Sequence, residues 1–83
     1  MKDLKENRDY HVRYWKAVNN KVRIAILKFL LDEGKEFDEI KEKIGIQDAS
    51  LKYHLEMLET GYCIEKEGEK YTATQEGTVV EYL

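Results

Sequence analysis

Apolar positions along the chain fall into four helical rows, followed by two short alternating runs. From Lys2 to about Val18 polar residues dominate, but Leu4, His11 and Val18 recur every seven residues, with Tyr10, Tyr14 and Trp15 beside that line. A stripe of this kind on a polar helix needs a partner surface, either the rest of its own domain or a second copy of the chain. Large aromatics on a terminal helix are costly to leave wet. In so short a chain that favours a two-fold seam, joined by the apolar C-terminal residues Val79, Val80, Tyr82 and Leu83.

Asn19-Asn20 then interrupts, and either residue can cap the next helix. This helix is predicted over about Lys21–Glu33, with Val22, Ile26, Leu27, Leu30 and Leu31 inward and Gly34 as its stop. Phe37, Ile40 and Ile44 return at helical spacing over 36–44, with Asp38 and Glu39 in the favourable first turn and Gly45 at the end. After Ile46-Gln47, Asp48 can cap a fourth helix running to Thr60, whose core line is Leu51, Leu55 and Leu58. Gly61 terminates it.

The period now changes to two. Tyr62 and Ile64 alternate with Cys63 and Glu65; beyond Glu67-Gly68-Glu69, Tyr71 and Ala73 alternate with Thr72 and Thr74. Two such runs around a Gly-containing turn predict a β-hairpin over 62–74. Thr74 can cap a last helix over 75–83. The predicted fold class is mainly α with a small β-hairpin, in the order α-α-α-α-β-β-α, as a single domain over 1–83.

Composition narrows the function classes. Eighty-three residues bury a small core, marginal alone unless packing is good or the chain oligomerises. Cys63 is the only cysteine, so no disulfide framework compensates, and a lone thiol fits a reducing cytoplasm. The charged N-terminus lacks the apolar segment of a secretory signal. The apolar stretch around Ile24–Leu31 is interrupted by Lys28 and is too short for a membrane span. The expectation is a soluble, cytoplasmic protein.

The net charge of −3 lacks the basic signature of a nucleic-acid binder. Its distribution says more. Residues 1–24 carry seven Lys/Arg against three Asp/Glu, residues 25–45 four against six, and residues 46–83 three against eight. The basic end is the N-terminus.

A short helix, a tight turn at Gly45-Ile46-Gln47 and a second helix make a helix-turn-helix over 36–60, and the hairpin that follows strengthens this reading. The sequence resembles the winged helix domains of ArsR-like regulators, especially archaeal ones. Three local matches carry the resemblance: Ala17-Val18-x-Asn20-x-x-Arg23-Ile24-x-Ile26-Leu27, Tyr53-His54-Leu55-x-x-Leu58-Glu59, and Tyr71-Thr72-x-Thr74-x-x-Gly77. Together they span roughly residues 14–77 in the family's order. One departure stands out. The family usually has glycine two residues before the first apolar strand residue, and Gly61 comes one place earlier.

The resemblance implies a dimeric transcription regulator on double-stranded DNA. The N-terminal part of helix 48–60 would read bases in the major groove, and the hairpin would lie along the backbone. With Leu51, Leu55 and Leu58 inward, helical geometry turns Ala49, Tyr53, Glu56, Met57 and Thr60 outward, flanked by Ser50 and Lys52. Ser50, Lys52 and Tyr53 can bond base edges or phosphates, and Gln47 sits where turn residues approach them. Lys66 and Lys70 can meet phosphates from the hairpin, although Glu65, Glu67 and Glu69 surround them. Arg8, Arg13, Lys16, Lys21 and Arg23 add positive charge if they lie towards the groove. The expected dimer residues are Leu4, Tyr10, Tyr14, Trp15, Val18, Val79, Tyr82 and Leu83.

The remaining chemistry is sparse. His54 lies on the flank of the core line, the place of a partly buried, hydrogen-bonded histidine rather than a ligand. Cys63 at a strand start reads as a small buried hydrophobe. One cysteine and two distant histidines do not make a soft-metal site, so no metal or cofactor is expected. Without a Gly-rich phosphate loop or a nucleophile at motif spacing, no enzyme is expected either. The rival reading is a winged helix used as a protein-interaction module, with the acidic hairpin and outward Tyr53 as its contacts.

Overall fold

Side-chain capping starts the helical core where the asparagine pair predicted it. Of the two, Asn20 is the cap: its Oδ1 accepts from the backbone N–H of Val22 and Arg23 at 2.9 and 3.1 Å. The computed structural model describes the backbone over residues 4–82, and side chains within 11–78 and at Val80. The elements are α1 (Leu4–Val18), α2 (Lys21–Leu30), β1 (Lys35–Glu36), α3 (Phe37–Ile44), α4 (Asp48–Thr60), β2 (Ile64–Glu67), β3 (Lys70–Ala73) and a 3₁₀ helix, Glu76–Tyr82. The expected order is present with two differences. A short strand precedes α3, and the last helix is 3₁₀ rather than α.

Both differences have local causes. α2 stops at Leu30, short of the expected Glu33, because Lys35 folds back on its end. The Lys35 ammonium donates to the carbonyls of Phe29 and Glu33 at 3.3 and 3.2 Å and to Asp32 Oδ1 at 3.0 Å. The Phe29 carbonyl would otherwise lack a partner at the helix terminus. Thus anchored, Lys35 and Glu36 pair antiparallel with Tyr71 and Lys70. β3 therefore becomes the central strand of a sheet ordered β1-β3-β2. The 3₁₀ helix is opened by Thr74, whose hydroxyl accepts from the Gly77 N–H at 3.2 Å and donates to the Tyr62 carbonyl at 2.6 Å.

The predicted core lines meet. Ile26, Leu27 and Leu30 of α2, Ile40 of α3, and Leu51, Leu55 and Leu58 of α4 are buried, with Ala17, Val18, Cys63, Ile64 and Val80 completing the cluster. Val22 and Leu31 are only half-buried at its edge. Entry into the hairpin breaks the expected alternation: Cys63 and Ile64 are both buried while Tyr62 is exposed. Tyr62 has φ 66°, the left-handed conformation that glycine adopts most easily. This accounts for the sequence departure at Gly61. The left-handed turn lies one residue later, on a tyrosine.

Candidate nucleic-acid interface

α3, the Gly45 turn and α4 set a helix whose N-terminal half is anchored in the core by Leu51 and turns its other side chains outward. Gly45 closes α3 at φ 76°, and its N–H donates to the Lys41 carbonyl at 2.8 Å. From there Gln47, Asp48, Ala49, Ser50, Lys52 and Tyr53 are all exposed, with Leu51 fully buried behind them. The structure thus leaves Gln47, Ser50, Lys52 and Tyr53 outside the core, with Tyr53 opposite the buried line and Ser50 and Lys52 on its two flanks. Tyr53 is 56% exposed, a large aromatic with little of its own fold to cover it.

Asp48 does not serve as the expected cap. The residue preceding α4 is Gln47, which makes no side-chain capping bond, and the Asp48 carboxylate turns back to Lys41 Nζ at 2.6 Å. This contact spans the helix-turn-helix and holds the Asp48 carboxyl below the usual carboxylate range, with Lys52 adding to the effect. In return the Lys41 ammonium is pushed up. A charge row Lys41–Asp48–Lys52 results, in which the carboxylate offsets one of the two cations.

The hairpin places its two lysines differently. Lys66 stands over the Tyr71 ring at 5.5 Å. Lys70 lies opposite Glu36 in one neighbouring strand and Glu67 in the other. Cross-strand partners share a face, so Lys70 has a carboxylate on each side. Glu65, Glu67 and Glu69 are exposed around them.

Arg23 is not on this surface, contrary to the expectation that it add positive charge towards the groove. It is 7% exposed. Its Nε donates to the Ala17 carbonyl at 2.8 Å, Nη2 to the Lys16 carbonyl at 2.9 Å, and Nη1 to His54 Nδ1 at 3.0 Å. The helical period carries a signal of this, since Arg23 shares the row of Ile26, Leu27 and Leu30. His54 is half-buried and hydrogen-bonded, as its flank position implies, and burial followed by the Arg23 charge lowers its pKa from 6.5.

The residues expected at a dimer seam separate. Val18 is buried in the domain's own core, and the Tyr14 hydroxyl donates to the Glu76 carbonyl at 3.2 Å, tying α1 to the 3₁₀ helix. Trp15 is 63% exposed, and Val12, three residues before it, is 45% exposed. Val12 escaped the sequence reading because it lies off the seven-residue line. Leu4, Tyr10, Val79, Tyr82 and Leu83, the other seam residues, have side chains outside the described residues. Cys63 is fully buried, and burial, with Glu76 second, pushes its thiol up to about 11. Among the described residues no group of three His, Cys, Asp or Glu side chains is placed to hold a metal ion, and no helix is long and apolar enough to cross a membrane.

Helix-turn-helix, three-stranded sheet and hairpin together define a winged helix-turn-helix domain. The chain belongs to the family described as Domain of unknown function (DUF7347), whose model matches residues 9–82. It is similar to an uncharacterized protein of Archaeoglobus fulgidus, 27% identical over 84 residues that cover 99% of this chain and 98% of the relative.

Among solved structures, HlyU from Vibrio cholerae is 26% identical with a TM-score of 0.75, over 95% of this chain and 92% of that one. The homodimeric winged helix-turn-helix DNA-binding domain of Mb0332 from Mycobacterium bovis, a possible ArsR-family transcriptional regulator, matches at TM-score 0.80 and 22% identity. That match covers 99% of this chain and 82% of that one. The transcriptional repressor BigR from Xylella fastidiosa matches at TM-score 0.74 and 20% identity, over 98% and 86% of the two chains. At such identities the likeness is one of fold.

Proposed function

We propose that this protein is a cytoplasmic, non-catalytic, ArsR-like transcription regulator that binds double-stranded DNA as a homodimer. α4 would lie in the major groove, with the β2–β3 hairpin beside the backbone. The observation that carries this reading is the run of exposed polar side chains in the N-terminal half of α4. Gln47, Ser50, Lys52 and Tyr53 are all exposed and offer amide, hydroxyl, ammonium and phenol groups around the part of the helix where helix-turn-helix proteins meet base edges. The homodimeric DNA-binding domain of Mb0332, which shares the fold, supports the same reading. Lys52 is the main cation of the surface, because Lys41 is engaged by Asp48 and Lys70 is flanked by Glu36 and Glu67.

The limited positive charge favours a second reading, a protein-interaction module whose acidic hairpin and exposed Tyr53 meet another protein. Salt separates the two. Phosphate contacts release counterions, so DNA affinity falls steeply as salt rises, whereas an apolar-centred protein interface is much less sensitive. We expect fluorescence anisotropy on random-sequence duplex DNA to show salt-sensitive binding that weakens in Lys52→Glu and has a smaller salt slope. Absence of binding at low salt would reject the DNA reading in favour of the interaction module.

A further inference from the structure

We propose that Arg23 is a positioning residue for α4 and that its bond to His54 is a proton-operated tie. Neutral His54 lets α2 and the end of α1 hold the helix, and protonated His54 lets it go.

Donor chemistry fixes the starting state. A guanidinium has five donors and no acceptor, so the 3.0 Å contact between Arg23 Nη1 and His54 Nδ1 requires a lone pair on Nδ1. His54 is therefore neutral there, with its proton on Nε2. Protonation would set an N–H against an N–H and add a second positive charge beside a buried one.

The geometry carries the event beyond the ring. The same guanidinium donates to the carbonyls of Lys16 and Ala17, which lie in the last turn of α1 and lack helical partners. One rigid planar group thus joins the end of α1, the first turn of α2 and the middle of α4. The groups around the ring offer no counter-charge. From α2 it meets Arg23, and from its own helix Tyr53, whose ring stands edge-on at 5.3 Å and 62°. α1 contributes the two carbonyls on the shared guanidinium. No carboxylate among the described residues acts on the ring, so nothing there would stabilise an imidazolium.

Burial and Arg23 both lower the His54 pKa below 6.5. Between that folded value and 6.5 the unfolded chain binds the additional proton. The tie's contribution to stability is thus present above 6.5 and is lost as pH falls through the folded value. Tyr53 is the neighbour of His54 on α4 and sits on the proposed reading surface, so release of the tie loosens that surface.

The consequence for DNA rests on the reading of α4 as the DNA-reading helix, and it has an unusual sign. A histidine near phosphate ordinarily strengthens binding when it gains charge. The tie instead predicts weaker binding at low pH.

The test has two parts on the full chain. In the free protein, ¹⁵N ring shifts should show the Nε2–H tautomer at neutral pH and a midpoint below 6.5, and α4 amide exchange should quicken across the same midpoint. On duplex DNA, affinity should fall roughly threefold to tenfold between about pH 7.5 and 5.5.

His54→Asn keeps an acceptor near the Nδ1 position and cannot titrate, so it should bind DNA without that step. His11→Asn, which removes the exposed second histidine, should retain it. Arg23→Gln, which removes the positive charge beside the ring, should bring the His54 midpoint nearer to 6.5. An Nδ1–H tautomer, α4 exchange indifferent to the His54 titration, or an undiminished step in His54→Asn would each overturn the tie. If α4 exchange follows His54 but DNA does not bind at any pH, the tie stands and the DNA reading falls.

Discussion

Gly45 and Gly61 stand just outside the two ends of α4, and each is glycine for a different physical reason. Gly45 has φ 76° with nothing within 4 Å of where a Cβ would be, so its requirement is conformational. Gly61 has an ordinary φ of −87°, but a Cβ there would lie 2.4 Å from the Ala17 Cβ and 2.9 Å from the Arg13 carbonyl. Its requirement is room for α1. Gly45→Ala should cost about 1 kcal/mol, and Gly45→Asn less, since asparagine tolerates the left-handed region. Gly61→Ala and Gly61→Asn should both cost about 1–3 kcal/mol by overpacking. Urea unfolding of the four variants tests the contrast. The sequence marks both positions as helix ends, but the crowding at Gly61 is set by a residue 44 positions away and leaves no local trace. Tyr62 misleads for a related reason. Its period-two position looks like strand, while its backbone takes the turn that the neighbouring glycine seemed to provide.

Among the elements, α4 is the most legible, because Leu51, Leu55 and Leu58 repeat at helical spacing and all three are buried. β1 is the least legible, since two residues cannot display a period. It exists because Lys35 is held at the end of α2, and the buried ammonium is what sequence reasoning missed. Lys35→Met keeps an unbranched apolar chain but removes the ammonium from over the Phe29 ring and the donors from the Phe29 and Glu33 carbonyls. The expected loss is about 2 kcal/mol, a typical value for hydrogen bonds to a charged group. Amide exchange should also quicken at the β1 pairing with Tyr71 and Lys70 while the β2–β3 pairing is preserved. Equal loosening of both pairings would mean that Lys35 supports the whole sheet rather than its first strand. Arg23 shows the converse case: its row on α2 pointed inward, but only the convergence of two carbonyls and an imidazole made burial of its charge affordable.

For the whole molecule, the helix-turn-helix and its hairpin were legible in the order of the periods and the winged helix in the family resemblance, whereas the surfaces by which it would assemble were not. α1 contributes Val18 to its own core and leaves Trp15 and Val12 outside, a division set by how α1 crosses the end of α4. Trp15→Glu should therefore leave the fold intact and shift the proposed dimer towards monomer in sedimentation velocity. An unchanged sedimentation coefficient would place the two-fold contact elsewhere. The sheet has a mechanical consequence. β3 pairs with the hairpin strand on one side and with β1 on the other, and β1 runs directly into α3, with Glu36 ending the strand and Phe37 beginning the helix. No slack residue lies between them. A push on the hairpin tip would be delivered like the throw of a lever to α3, the first helix of the helix-turn-helix pair, so that bending the wing and tilting α3 become one motion.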